Sequence, residues 1–446
     1  MQTMRRRPSL RSLHALLSGL LLLSLCGGGP ALASPPPGPF AGDLAVRCGR
    51  LIDGVSDHAV ENRWVHIHGG IIRSIDTTPP PRGTPRLDLG AKTCLPGLID
   101  LHTHLTDSPE DTKDLRVYFT RSDAEALRLA ADHAGATLRA GFTTVRDVGT
   151  YIAWTDRSLR DAIRAGSLAG PRMQVAGMYL TIPGGGGDLL VPGVPEKDIP
   201  ARVRRGVARG AEAFRSKAEE AVAGGADVLK VIASGAVLAY GGVPGAPEMS
   251  EEEIRAVVEV AHRHGLRVAA HAHGAQSVKD AIRAGADTIE HASLIDDEGI
   301  ALAKARGVCL DMDIYNGDYI DTEGRRQGWP EEFLRKNVET TEVQRINFTK
   351  ALRAGAILSY GTDAAVYPHG GNARQLRYLV ARGMTPMQAI QAATSVSARC
   401  MGWEDKVGAL RPGLAGDLIA VDGDPLHDVS ELERVKAVVL GGRAVP

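Results

Sequence analysis

From about residue 93 to residue 398 the chain alternates short apolar runs with longer amphipathic stretches. The runs are Cys94–His104, Phe142–Val148, Met173–Ala176, Asp227–Ala233, Leu266–His273, Thr288–His291, Val308–Asp313 and Ala356–Asp363. They lack polar alternation, which predicts strands buried on both faces, as in a parallel sheet. Five follow a helix-like stretch closed by glycine: RAGFTTV (139–145), AGGADVLKV (223–231), RAGADTIE (283–290), ARGVCLD (305–311) and RAGAILSY (353–360). Glycine supplies the left-handed conformation that ends a helix. Repeated β/α units over roughly 270 residues predict an α/β fold of the (β/α)8 TIM-barrel kind, with a doubly wound open sheet as the alternative.

Outside this region the rhythm changes. Residues 43–53 and 63–76 read as short strands, with Asp53-Gly54 and Gly69-Gly70 as turns. Gly408–Leu410, Asp417–Val421 and Ala437–Leu440 read as strands near the other end. The two ends are expected to pair into a small β-sandwich, from 43–92 and 403–446, beside a barrel over 93–402.

A chain of 446 residues with 43% hydrophobic and 24% charged residues can bury a large core and is not a disordered composition. Aromatic residues at 4% and the lack of a clustered basic run argue against nucleic-acid binding. Residues 1–33 combine Arg5–Arg7, the apolar stretch 15–25 and the small-x-small site Ala31-Leu32-Ala33. They read as a signal peptide cleaved after Ala33. The apolar stretch is too short to span a bilayer. A lipoprotein at Cys26 is disfavoured by Leu25, and the Arg6-Arg7 pair is a weak twin-arginine signal. The expected product is exported, periplasmic or secreted, without stable membrane insertion. Its formal charge moves from -1 to -5, because the leader holds four arginines and no acid. Residues 34–42 form a Pro-rich linker. Four cysteines remain, and an oxidising compartment permits disulfides. Cys48 with Cys94 is the one pair considered.

The ends of the expected barrel strands carry unusual polar residues, at the face where active sites of this fold sit. His102 and His104 lie two apart on a strand and point to one side, able to share a metal. Lys230 sits in the apolar run ADVLKVIASG. A buried, unpaired ammonium is costly and loses its proton. The neutral amine can take up carbon dioxide as a carbamate, an anion able to bridge two divalent metals; a lysine at the barrel mouth paired with an acid is the bland alternative. His271 follows its strand in RVAAHAHG, with His273 as the other candidate ligand. His291 closes TIEHAS and Asp363 ends LSYGTD. Alone, either histidine reads as a core residue, and Asp363 as a helix cap. Together they place HxH, Lys, His, His and Asp on strands one, four, five, six and eight. Histidine and carboxylate ligands suit Zn2+. The glycine loop 184–187 after Pro183 lacks a GK[ST] ending and reads as a lid rather than a phosphate cradle.

With LPGLIDLHTHL, VLKVIASG, AAHAHG, IEHAS and GTDAA, the chain resembles the amidohydrolase superfamily of metal-dependent hydrolases. More narrowly, it is similar to the imidazolonepropionase-like and Xaa-Pro-dipeptidase-like branch with a carboxylated lysine. That branch includes bacterial dipeptidases and N-acyl-amino-acid hydrolases, and ochratoxin-hydrolysing amidases are similar. The resemblance runs from about residue 43 to 446. It implies one metal on His102, His104 and Asp363 and another on His271 and His291. N6-carboxylated Lys230 and a hydroxide bridge them in that picture. It also implies a homo-oligomer and a small amide or peptide substrate. Two departures touch the substrate end: the glycine loop lacks a histidine common in relatives, and Arg374-Gln375 stands where an acid is usual after PHGGN.

On this reading Asp363 acts as general base and then general acid. Tyr240 is a candidate oxyanion donor and substrate contact. His273 and His369 are further candidate substrate contacts, with Arg or His groups expected for a substrate carboxylate. The alternatives are a lactonase, a cyclic-amide hydrolase or a deaminase on the same barrel, and, more remotely, a metal-free binding protein.

Overall fold

The strand at residues 86–103 serves two sheets in turn, and the switch falls at Gly97. In the computed structural model, which describes residues 39–446, β4 runs over Arg86–Pro96 and β5 over Leu98–Thr103. A side chain at Gly97 would stand 2.0 Å from Thr143 Oγ1, so the chain passes from one sheet to the other only with glycine there. The sequence reading joined Cys94–His104 into one strand; the bend at Gly97 divides it. The leader, its Ala33 cleavage site and the first part of the linker lie outside the described residues.

Before this switch come β1 (Leu44–Leu51), β2 (Val60–His68) and β3 (Ile71–Asp76). After it come β6 (Phe142–Asp147), β7 (Arg172–Val175), β8 (Tyr179–Leu180), β9 (Val228–Ile232), β10 (Arg267–Gly274), β11 (Thr288–Leu294), β12 (Cys309–Asp311) and β13 (Ile357–Leu358). The chain ends with β14 (Leu418–Val421), β15 (Ala437–Leu440) and β16 (Arg443–Ala444).

Strands β5 to β7 pair in parallel, as do β8 to β13. The Asp227 N–H donates to Val175 O at 2.8 Å, joining β7 to the start of β9. On the other side the Leu101 N–H donates to Tyr360 O at 2.9 Å and the His104 N–H to Ala364 O at 3.0 Å. An open doubly wound sheet would leave β5 and β13 as edges. Here residues 360–364, beyond β13, bond to β5, and the parallel strands close into a ring.

The ends of the chain form one seven-stranded sheet, in the order β16-β15-β14-β4-β1-β2-β3. This differs from the expected sandwich. β4 pairs with β1 in parallel on one edge and with β14 antiparallel on the other, which makes the sheet continuous. It encloses its own apolar cluster, including Val46, Val65, Ile72 and Leu418. The strand expected at Gly408–Leu410 is a loop whose Leu410 N–H donates to Asp53 O at 2.9 Å.

Local sequence fixes the flanking helices. Ser250 caps Glu251–Arg263 by accepting from the Glu253 N–H, while the Glu253 carboxylate accepts from the Ser250 N–H. Ile254, Val257, Val258 and Ala261 form its buried face. Helices Asp297–Arg306 and Glu331–Ala354 end at Gly307 and Gly355, both left-handed at φ +68° and +74°. No helix among the described residues is long and apolar enough to cross a membrane.

Candidate active site

His102 and His104 leave β5 on the same side. Their Nε2 atoms lie 3.4 and 3.3 Å from Asp363 Oδ1. Asp363 is held there by its own N–H, which donates to His102 O at 2.7 Å. His291, on β11, has its ring centre 4.8 Å from that of His102, 4.7 Å from His271 and 4.6 Å from His273. Three sets could each hold a metal ion: His271, His273 and His291; His102, His291 and Asp363; and His102, Glu290 and Asp311. In each set the ligand atoms lie within 4.8 Å of one another. His291 and Asp363 hold left-handed backbone, at φ +67° and +53°. Such strain is kept where the surroundings impose it, commonly at functional sites.

Lys230, on β9, lines the same cavity with 2% exposure. Its Nζ has no hydrogen-bond partner. Burial lowers its pKa to about 8, against the pull of Glu290 and Asp363.

Each of the five rings has one nitrogen close to a polar atom. His102 Nδ1 lies 2.9 Å from Glu290 Oε2, and His291 Nδ1 2.9 Å from Asp313 Oδ1. His104 Nδ1 meets Gly149 O at 2.9 Å and Tyr179 Oη at 3.1 Å. His271 Nε2 lies 3.3 Å from Gly235 O, and His273 Nδ1 2.8 Å from Ser293 Oγ. Such partners set tautomer and ring orientation in metal-binding histidines.

Burial holds the His271 and His273 rings well below the usual histidine range, with His291 adding to it. Burial, then Lys230, lowers His102 to about 4. Neutral imidazoles are the metal-binding form. Burial opposes ionisation of Asp363, but His102, His104 and His291 hold its carboxyl below the usual range. Against burial, the Asp363 hydrogen bond raises His104 to about 9 and the Asp313 charge raises His291, so these two rings give up a proton when they bind a metal. The donor set fits a divalent metal in kind: imidazoles, an ionised carboxylate, and a buried amine with no hydrogen-bond partner.

Thus His102, His104, Lys230, His271, His273, His291 and Asp363 converge on one cavity of about 170 Å3. Two expected substrate contacts do not. Tyr240 packs against Phe333 with the rings tilted by 47° and their centres 4.8 Å apart, and is absent from the lining. His369 is buried and absent from the lining, its ring centre 4.3 Å from that of His133 and its Nε2 3.1 Å from Asp107 O. Nor does an arginine line the cavity among the described residues, where Arg or His groups were expected for a carboxylate. The glycine loop is tied down rather than free. Gly186 N–H donates to Glu248 Oε2 at 2.7 Å, Gly184 N–H to Asp188 Oδ2 at 2.9 Å, and Gly187 N–H to Thr181 Oγ1 at 3.3 Å.

Sequence reasoning passed over Glu290, Arg146 and Tyr179. The first two carry the signal that identified Lys230, a charge inside an apolar run. Arg146 is fully buried and donates to Glu290 Oε1 at 2.8 Å. Tyr179 had no such signal.

The profile of the Amidohydrolase family matches residues 93–445. The chain belongs to this family. Amidohydrolases of this group are hydrolases acting on carbon–nitrogen bonds. The amidohydrolase is 30% identical to an Aspergillus niger ochratoxinase over 359 residues, covering 77% of this chain and 73% of the relative. Among solved structures, a Xaa-Pro dipeptidase with bound methionine in its active site superposes with a TM-score of 0.84 at 34% identity, covering 91% of this chain and 100% of the other. A prolidase complexed with N-methylphosphonate-L-proline does so at 0.84 and 28%, covering 90% and 99%.

Proposed function

We propose that this amidohydrolase is an exported binuclear zinc enzyme on a (β/α)8 barrel that cleaves an amide or peptide bond of a small substrate. The observation that carries the reading is Lys230: a buried amine without a partner, among histidines and a carboxylate able to bind metal. His102, His104 and Asp363 would hold one ion, and His291 with His271 the other, both sharing the carbamate of Lys230. Bound zinc supplies Lewis acidity, polarising the scissile carbonyl and making water acidic near neutral pH.

The chain's own groups do the rest. Asp363, held ionised by its histidine neighbours, takes the proton of the attacking water and delivers it to the leaving amine. Glu290 and Asp313 fix the His102 and His291 rings. Gly149 O and Tyr179 fix His104. Kinship to the ochratoxinase and the dipeptidase favours an amide, such as a dipeptide, over a lactone. The disulfides Cys48–Cys94 and Cys309–Cys400 support export, since both suit an oxidising compartment. The second pair was not foreseen from the sequence.

The test is Lys230→Ala, with zinc content measured by mass spectrometry and hydrolysis followed on a dipeptide panel. Loss of zinc together with activity supports the reading. Full activity in the variant overturns it.

A further inference from the structure

One face of the helix Glu331–Ala354 forms a polar wall of the cavity. Thr340, Thr341 and Gln344 follow Asn337 at helical spacing, which puts all four side chains on one side, and all four line the cavity. Asn337, Thr340 and Gln344 are buried, and Thr341 is half-buried. None of them carries a charge. The wall therefore runs neutral for about 10 Å along the helix axis, from Gln344 beside the cage out to Asn337.

The hydrogens of Gln344 and of the two threonines are spent on the protein. Gln344 Nε2 donates to His291 O at 3.0 Å and to Asp313 Oδ1 at 2.9 Å. Both partners are acceptors, which fixes the amide with its oxygen on the other side. That oxygen, Oε1, is left without a protein donor among the described residues. Thr340 Oγ1 donates to Lys336 O at 3.0 Å, and Thr341 Oγ1 to Asn337 O at 2.7 Å. A hydroxyl has one hydrogen and keeps its lone pairs, so both threonines remain acceptors. Asn337 Nδ2 donates to Gly317 O at 2.9 Å, and a side chain at Gly317 would collide with Thr341, so the turn at Gly317 packs directly on the wall and holds it.

We propose that Thr340, Thr341 and Gln344 read a neutral N–H donor on the substrate, a carboxamide group close to the scissile bond. An aliphatic group in that place displaces water from three acceptors and offers no hydrogen in return. A carboxylate sets lone pairs against lone pairs. An ammonium needs a counter-charge when buried. Asp313, which touches Gln344, already has one oxygen taken by His291 and Gln344 and the other by Asn316. The wall rests on the amidohydrolase reading of this cavity and narrows it. The favoured substrates are amides that carry a second amide group, such as dipeptides of asparagine or glutamine, over those with an aliphatic side chain.

The experiment is calorimetric titration of the purified enzyme, produced from residue 34 onward, with benzamide and with acetophenone. The two ligands share a shape and a carbonyl and differ in an NH2 against a CH3. The wild type is expected to bind benzamide at least about fivefold more tightly, the worth of one well-placed hydrogen bond. Thr340→Val combined with Thr341→Val, and separately Gln344→Met, keep the size of the wall and remove acceptors from it. At least one of these two variants is expected to bring the ligands within about twofold, through weaker benzamide binding alone. Equal affinities in the wild type, no saturable binding of benzamide, or a preference kept in both variants each overturn the proposal. None of these readouts requires turnover, so they stand apart from the zinc and dipeptide results for Lys230→Ala.

Discussion

Glu290 Oε2 lies 2.9 Å from His102 Nδ1, inside the ring and shielded from solvent. The other carboxylate oxygen accepts from Arg146 at 2.8 Å and from Thr288 Oγ1 at 2.5 Å. One acid thus orients a candidate metal ligand and neutralises a fully buried guanidinium. Glu290→Gln keeps the shape and removes the charge. It is expected to weaken metal binding by about 10- to 100-fold, as loss of an outer-shell partner does. Breaking a buried pair also costs up to about 3–5 kcal/mol, because Arg146 is left with only its longer, 3.5 Å contact to Asp311. Chelator competition and thermal melting check the two effects, and unchanged metal affinity would separate Glu290 from the cage.

Asp363 is the group assigned to proton transfer. Asp363→Asn removes that capacity while keeping a carbonyl oxygen near His102 and His104. The expected loss in kcat is about 10²- to 10⁴-fold, the usual contribution of a positioned base. Steady-state kinetics on whichever dipeptide the wild type hydrolyses measures it. A variant that retains its zinc and turns over at more than a tenth of the wild-type rate would move the base elsewhere.

Much of this site was legible because it lies on strands. His102, Lys230, His271 and His291 are polar residues in apolar runs, and the ring brings strand ends together however far apart they are in sequence. Glu290 and Arg146 were equally legible by that logic and were overlooked beside the histidines. Tyr240 shows the limit. Ten residues of loop separate it from Lys230, and loop direction has no period from which to read a side chain's aim, so its ring ended on Phe333. Tyr179 fills the polar position beside His104 instead, after the short non-strand segment 176–178 between β7 and β8 that no pattern announced. The single sheet at the chain ends was hidden for a similar reason, since strand periodicity says nothing about which edges meet.

Cys309 lies on β12, two residues before the buried Asp311, and Cys400 lies 91 residues further along in the helix Ser397–Cys400. A link across a loop of that length restricts the unfolded chain strongly. Cys309→Ser is expected to lower stability by about 2–5 kcal/mol. The purified enzyme produced from residue 34 onward should show no thiol reactive with an alkylating reagent under denaturing, non-reducing conditions. Two or more alkylated cysteines would refute the second bridge.

Glu248 offers a test of the glycine loop by pH. Its Oε2 accepts from the Gly186 N–H at 2.7 Å, and Gly186 lines the cavity. Burial raises this carboxyl to about 6, with the Gly186 hydrogen bond and Lys336 opposing. The ordinary value is 4.5, so the folded chain binds this proton more readily than the unfolded one. Stability from this group is therefore full below pH 4.5 and falls as pH rises through 6, by about 2 kcal/mol in all. Glu248→Gln carries no such charge. Its stability should match the wild type near pH 4 and exceed it by about 1–2 kcal/mol at pH 7, read from urea unfolding at the two pH values. A constant gap across that range would mean that the variant acts through the Gly186 hydrogen bond alone and that the Glu248 carboxyl titrates as it does in the unfolded chain.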